Sequence, residues 1–168
     1  MSRIYLLRHA KAVAAAPGMR DFDRPLSNGG AKAARNMGSA MAVAGFIPDL
    51  AICSTAKRTR ETLDNLRLTL TSPFPAADSD ALYTANANGY LDAVHDAGDA
   101  SCVLVIGHNP SMEELALALA TKGHPALLQR LSHGFPTAGL AVIDFEGPLA
   151  DAAAGAGTLR AFITPADI

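Results

Sequence analysis

The chain has almost no excess of charge. Its 14 lysines and arginines face 16 aspartates and glutamates, a formal net charge of −2. It therefore lacks the basic surplus that drives binding to a phosphate backbone, and no nucleic-acid partner is expected. It has two cysteines, too few for a disulfide framework. No apolar run nears the ~20 residues of a bilayer span. Met1-Ser2-Arg3 runs straight into Ile4-Tyr5-Leu6-Leu7, too short for the apolar core of a secretory signal. A cytoplasmic location without membrane association is the expectation. No two histidines show the spacing of zinc ligands, and there is neither a Gly-x-Ser-x-Gly elbow nor a Walker-type lysine loop. Cysteine phosphatases place an arginine six positions after the nucleophile. Six after Cys53 is Thr59, and Arg58 stands one residue too early. Cys53 and Cys102 lie within apolar runs and read as core residues.

What is present suits one globular domain over 1–168: 49% hydrophobic and 18% charged residues in 168 positions. Five short apolar runs read as strands: Ile4 to Leu7, Leu50 to Cys53, Cys102 to Ile106, Leu140 to Ile143 and Leu159 to Ile163. Four are nearly continuous, as in strands covered on both faces. Helical spacing appears over Gly29 to Ala44, Lys57 to Leu70, Tyr90 to Ala97 and Ser111 to Ala120. Ser27 is a candidate N-cap and Gly45 a candidate stop for the first helix, and Pro110 opens the last. The alanine- and glycine-rich Leu149 to Gly157 reads as the connection between the last two strands. The alternation predicts an α/β fold, a three-layer sandwich whose mostly parallel central sheet is flanked by helices, with an antiparallel last edge.

In open α/β sheets, chemistry gathers beyond the carboxyl ends of the strands. The first strand is followed by Arg8-His9-Ala10, the second by Ser54-Thr55-Ala56-Lys57-Arg58, the third by Gly107-His108-Asn109-Pro110. Each element alone has a plainer reading: a loop pair, a solvated helix residue, a helix cap. Together they deliver two imidazoles and two guanidinium forks to one rim, beside two helix N-termini, which makes an anion site. Neutral imidazole can attack phosphorus and carry it as phosphohistidine, and nearby positive charge should keep it neutral. Lys11 either touches phosphate or faces water. Arg24 is expected to pair with Asp21 or Asp23. His95, His124 and His133 read as structural or surface residues, with His133 a possible pocket wall beside Phe135-Pro136-Thr137.

The set resembles the histidine phosphatase superfamily, whose first strand ends in Arg-His-Gly; Ala10 stands in place of the glycine. Leu7-Arg8-His9-Ala10-Lys11-Ala12, Asp23-Arg24-Pro25-Leu26-Ser27, Ser54 to Thr62, Val105 to Pro110 and Phe135 to Leu140 are similar to the small SixA-type phosphohistidine phosphatases. The similarity runs from Arg3 to Ile163. It implies a phosphoglycerate-mutase-like fold and a hydrolase acting in signal transduction. By it, His9 is the nucleophile, Arg8 and Arg58 bind the phosphoryl group, and His108 completes the pocket. Lys11 and Asn109 are further substrate-binding candidates. It implies no metal and no cofactor. The substrate would be a phosphohistidine-bearing protein, with a small phosphorylated molecule as the alternative, and a non-catalytic phosphate- or phosphoprotein-binding module as a third reading. The chain is expected to act as a monomer. Many relatives carry a carboxylate after a Leu-Tyr pair. Here Leu82-Tyr83 is followed by Thr84, and Asp80 is not in the matching place, which favours P–N over P–O substrates. Thr71 to Asp99 holds one short helix, too little for a cap over the pocket.

Overall fold

A computed structural model describes residues 1–168. Seven strands form one sheet: β1 (Ser2–Arg8), β2 (Leu50–Ser54), β3 (Ala76–Ser79), β4 (Cys102–Gly107), β5 (Ala120–Gly123), β6 (Leu140–Phe145) and β7 (Gly157–Ile163). Their order is β3-β2-β4-β1-β6-β7-β5. The β2–β3, β2–β4, β1–β4 and β5–β7 pairs are parallel, and β6 is antiparallel to both β1 and β7. Only β6 is therefore reversed, and the sheet is mixed rather than purely parallel.

Alternation along the central strands builds two cores. Ile4, Leu6, Val103, Val105 and Ile143 face one way, while Tyr5, Leu7, Leu104, Ile106 and Val142 face the other. The first face is covered by α3 (Ala87–His95), α4 (Ser111–Leu119) and α5 (Pro125–Ser132), through Tyr90, Met112, Leu115 and Leu131. The second is covered by α1 (Asn28–Ala44) and α2 (Lys57–Arg67), through Met37, Met41, Leu63 and Leu66. Burying each such side chain contributes about 1.5–3 kcal/mol. This is the expected three-layer arrangement. No helix is long and apolar enough to cross a membrane.

The cap residues behave as their chemistry dictates. Ser27 Oγ accepts from the Gly30 N–H at 3.0 Å, and Gly45 ends α1 in the left-handed region at φ 71°. Two strands and one helix escaped the sequence reading. β3 is short, polar and at an edge, and β5 is Ala-Thr-Lys-Gly, so neither shows an apolar run. The signal for α5 was there: His124-Pro125 opens it, the His124 Nδ1 accepts from Ala126 N–H, and Leu127, Leu128 and Leu131 follow at helical spacing. The stretch from Thr71 to Asp99 thus holds β3, a short 3-10 turn at Ala81–Tyr83, and α3.

Candidate active site

The register between β1 and β4 sets the site. Arg8 pairs with Gly107, so the next residues, His9 and His108, leave the sheet side by side. Their ring centroids lie 5.4 Å apart. Close approach fixes the residue before His108: a Cβ on Gly107 would stand 2.4 Å from the Tyr90 hydroxyl oxygen. That hydroxyl accepts from the His108 backbone N–H at 2.9 Å and donates to the Leu82 carbonyl at 2.9 Å. On the other side, Ala138 sits at φ 56°, unusual for alanine, and its N–H reaches the carbonyls of Arg8 and His9 at 3.1 and 3.0 Å. Ala10, standing where relatives have glycine, is fully buried, and its N–H donates to Thr62 Oγ1 at 3.0 Å. Its φ is not positive, so the added methyl costs no strain.

His9 Nδ1 lies 2.7 Å from the Ala10 carbonyl. A carbonyl can only accept, so Nδ1 carries the proton and Nε2 keeps its lone pair. Burial, then the guanidiniums of Arg58, Arg8 and Arg24, push His9 down to about 4, against the raising effect of the Ala10 bond. Burial is the larger cause, ahead of the positive charge expected from sequence. His108 is pushed down to about 3, again by burial first, then by Arg58 and His9. Both rings are neutral at physiological pH.

The two arginines are held differently. Arg8 donates from Nη1 to the Phe135 carbonyl at 2.9 Å. Arg58 is buried; its Nη1 reaches the Asp21 carbonyl at 2.9 Å and its Nη2 the Asp21 carboxylate at 3.1 Å. The Nε atoms of both arginines are buried without a partner, as is His108 Nδ1. Buried polar groups are ordinarily paired, so the two arginine Nε–H groups are donors left unspent beside the histidines. No three His, Cys, Asp or Glu side chains converge to hold a metal ion.

Asp21, which the sequence reading offered only as an Arg24 partner, is central. It accepts from Tyr83 Oη at 2.6 Å, Arg24 Nη1 at 3.0 Å and Arg58 Nη2. The Tyr83 bond first, then Arg24 and Arg58, hold its carboxyl well below the usual range. Tyr83 also presents its ring edge-on to His108 at 5.5 Å. Both lie beside segments that the sequence singles out, but only the fold brings the two together, 62 residues apart in the chain.

The remaining candidates separate. Lys11 is exposed, and its side chain makes no hydrogen bond; its carbonyl holds Ser27. Asn109 Nδ2 donates to the Phe135 carbonyl at 3.1 Å and Glu113 Oε2 at 3.2 Å, leaving Oδ1 buried and unpartnered. Asp80 is exposed and accepts from Thr55 Oγ1 at 2.6 Å. His95 bonds the Ala152 carbonyl, and His124 caps α5. His133 lines an open cavity of about 740 Å³ together with Arg8, Asn109, Glu113, Arg130 and Phe162. Cys53 is buried and pushed up to about 12 by desolvation, as befits a core residue.

Comparisons with known proteins show the family and the fold. The model of the histidine phosphatase superfamily (branch 1) matches residues 4–82. A candidate phosphohistidine phosphatase SixA from Agrobacterium tumefaciens is 36% identical, with 98% of each chain covered and a TM-score of 0.84. A second such candidate, from Nakamurella multipartitia, is 31% identical, covering 98% of this chain and 96% of the other, with a TM-score of 0.81. An uncharacterised protein of Mycobacterium tuberculosis is 34% identical over 162 residues, 95% of this chain and 99% of the relative.

Proposed function

The chain belongs to the histidine phosphatase superfamily and is SixA-like along its length, and from that premise we propose that it hydrolyses phosphohistidine on a polypeptide through a phosphorylated His9. The observation that carries this reading is the tied Nδ1–H of His9, which leaves Nε2 as a neutral nucleophile among Arg8, Arg58 and His108.

The chemistry runs in two steps. In the first, the Nε2 lone pair attacks phosphorus, and the P–N bond of the substrate breaks with its electron pair going to the departing ring nitrogen. That ring can take a proton from solvent at its other nitrogen beforehand, and then leaves as neutral imidazole. His9 becomes a phosphorylated, imidazolium-like ring whose Nδ1–H still faces the Ala10 carbonyl. In the second step water attacks phosphorus, the bond electrons return to Nε2, and orthophosphate and a proton are released. Arg8 and Arg58 neutralise charge on the transferring oxygens and the neutral His108 donates a hydrogen bond to them, where phosphoryl transfer needs it.

The nearby carboxylates support P–N substrates. An alkoxide leaving group needs a proton donor. Asp21 is kept ionised by Tyr83, Arg24 and Arg58. Asp80 is engaged by Thr55 and Glu113 by Asn109. A polypeptide substrate is supported by the open cavity beside Arg8 and by α3 packing on α4 rather than capping the pocket. The test is hydrolysis of a phosphohistidine protein beside a panel of sugar phosphates, with wild type and His9→Ala. Faster turnover of the sugar phosphates would end the phosphohistidine reading. Absence of turnover on every substrate, with no acid-labile phosphate trapped on the protein, would instead mark a binding module.

A further inference from the structure

We infer that Ser54 is a positioning residue that sets the ring tautomer of His108, so that this histidine, while neutral, offers an Nδ1–H to the transferring phosphoryl group. Ser54 ends β2 and is fully buried. Because Cys53 pairs with Ile106 across β2 and β4, Ser54 falls level with Gly107 and within reach of the following imidazole. Its Oγ lies 2.8 Å from His108 Nε2.

The direction of that bond follows from counting donors and acceptors. Ser54 Oγ receives one long contact, 3.4 Å from the Ala56 N–H. His108 Nε2 is the one acceptor with which its hydroxyl forms a hydrogen bond. If Nε2 carried the proton and donated to Ser54, the hydroxyl hydrogen would be buried with nowhere to go, at the full desolvation penalty of an unmade bond. If Ser54 donates to Nε2, the hydroxyl is satisfied, and the ring proton must sit on Nδ1. Nδ1 is buried and has no partner in the protein, although the rings of His9 and Tyr83 pack against it and the charges of Arg58, Arg8 and Asp21 act on it. One donor is left over, and it belongs to a ligand's acceptor.

The two imidazoles are therefore set as opposites by different partners. The Ala10 carbonyl takes the His9 Nδ1 proton and frees an electron pair at Nε2. The Ser54 hydroxyl occupies the His108 Nε2 electron pair and frees a proton at Nδ1. A neutral donor placed before substrate arrives needs no protonation step, which suits a ring whose burial and neighbours oppose a positive charge. What Nδ1–H binds rests on the phosphoryl-transfer reading; the tautomer does not.

The experiment has two parts. In ¹⁵N-labelled protein at neutral pH without ligand, His108 should show a protonated-type Nδ1 and a bare-type Nε2. The reverse assignment overturns the inference whatever the enzyme does. In Ser54→Ala, the His108 tautomer should shift toward protonated Nε2, and kcat for phosphoramidate should fall by about tenfold or more, with KM changing less. An unchanged tautomer in the variant overturns the inference, even if the rate falls. Should the variant not fold, the wild-type spectrum decides alone. Failure of the phosphatase reading would show separately, as wild-type protein inert toward phosphoramidate with its tautomer as expected.

Discussion

Tyr83 donates a 2.6 Å hydrogen bond to the carboxylate of Asp21, 62 residues earlier in the chain. The bond joins the loop after β1 to the turn after β3, and Arg58 is packed against both partners, with its guanidinium carbon 5.9 Å from the Tyr83 ring centre. Arg58, the proposed phosphoryl ligand, is thus oriented by two residues from distant segments of the chain.

Arg58→Lys should lower kcat/KM about a hundredfold, because a point ammonium cannot hold the Asp21 carbonyl and carboxylate and also reach a phosphoryl oxygen. Arg58→Ala should cost more, since it leaves Asp21 facing the incoming anion. Steady-state kinetics and inhibition by orthovanadate measure both. Wild-type values in the lysine variant would remove Arg58 from the clamp.

His9→Ala should abolish turnover and the acid-labile phosphate label while the protein stays folded. His9 follows the last residue of β1 and is only partly buried, so circular dichroism should be unchanged. Residual label would move the nucleophile elsewhere.

Both histidines have folded-state values below the ordinary 6.5, His9 at about 4 and His108 at about 3. The unfolded chain then binds more protons than the folded one below that ordinary value. Their contribution to stability is present in full above pH 6.5 and declines as pH falls through the folded values. Urea midpoints at several pH values should show this decline, and His108→Asn should make it shallower. Imidazole ring titration near 6.5 by NMR would refute the burial argument.

Tyr90→Phe removes the hydroxyl that accepts from His108 N–H and donates to the Leu82 carbonyl. Two buried groups lose their partner, at about 1–3 kcal/mol each. Chemical denaturation should report a loss of about 2–6 kcal/mol for the two together, with a lower kcat, because His108 loses its anchor.

Substitutions in the cavity beside Arg8 should separate substrates. Arg130→Glu, on the exposed wall of that cavity, should raise KM for a phosphohistidine protein several-fold and leave phosphoramidate hydrolysis unchanged. Equal effects on both substrates would mean the cavity does not hold the polypeptide.

Five of the seven strands, four of the five helices and the candidacy of His9, Arg8, Arg58 and His108 as one set were legible in the residues themselves. Apolar runs and helical spacing are local signals, and each of these side chains ends a strand, directly follows one or lies in the first turn of a helix. β3 and β5 were silent because edge strands need no apolar run. Asp21, Tyr83 and Ser54 were silent as site residues for a different reason. Their roles lie in what they touch, and spacing along the chain says nothing of contacts between distant segments.

The sequence alone determined which groups carry charge and lone pairs, and that three strand ends would present them. Tertiary structure alone decided which nitrogen of each ring is free. That depends on a carbonyl 2.7 Å from one imidazole and a hydroxyl 2.8 Å from the other. Such distances exist only once β2, β4 and β1 are in register, because a hydrogen bond is a matter of tenths of an ångström, and composition and periodicity carry no information at that scale.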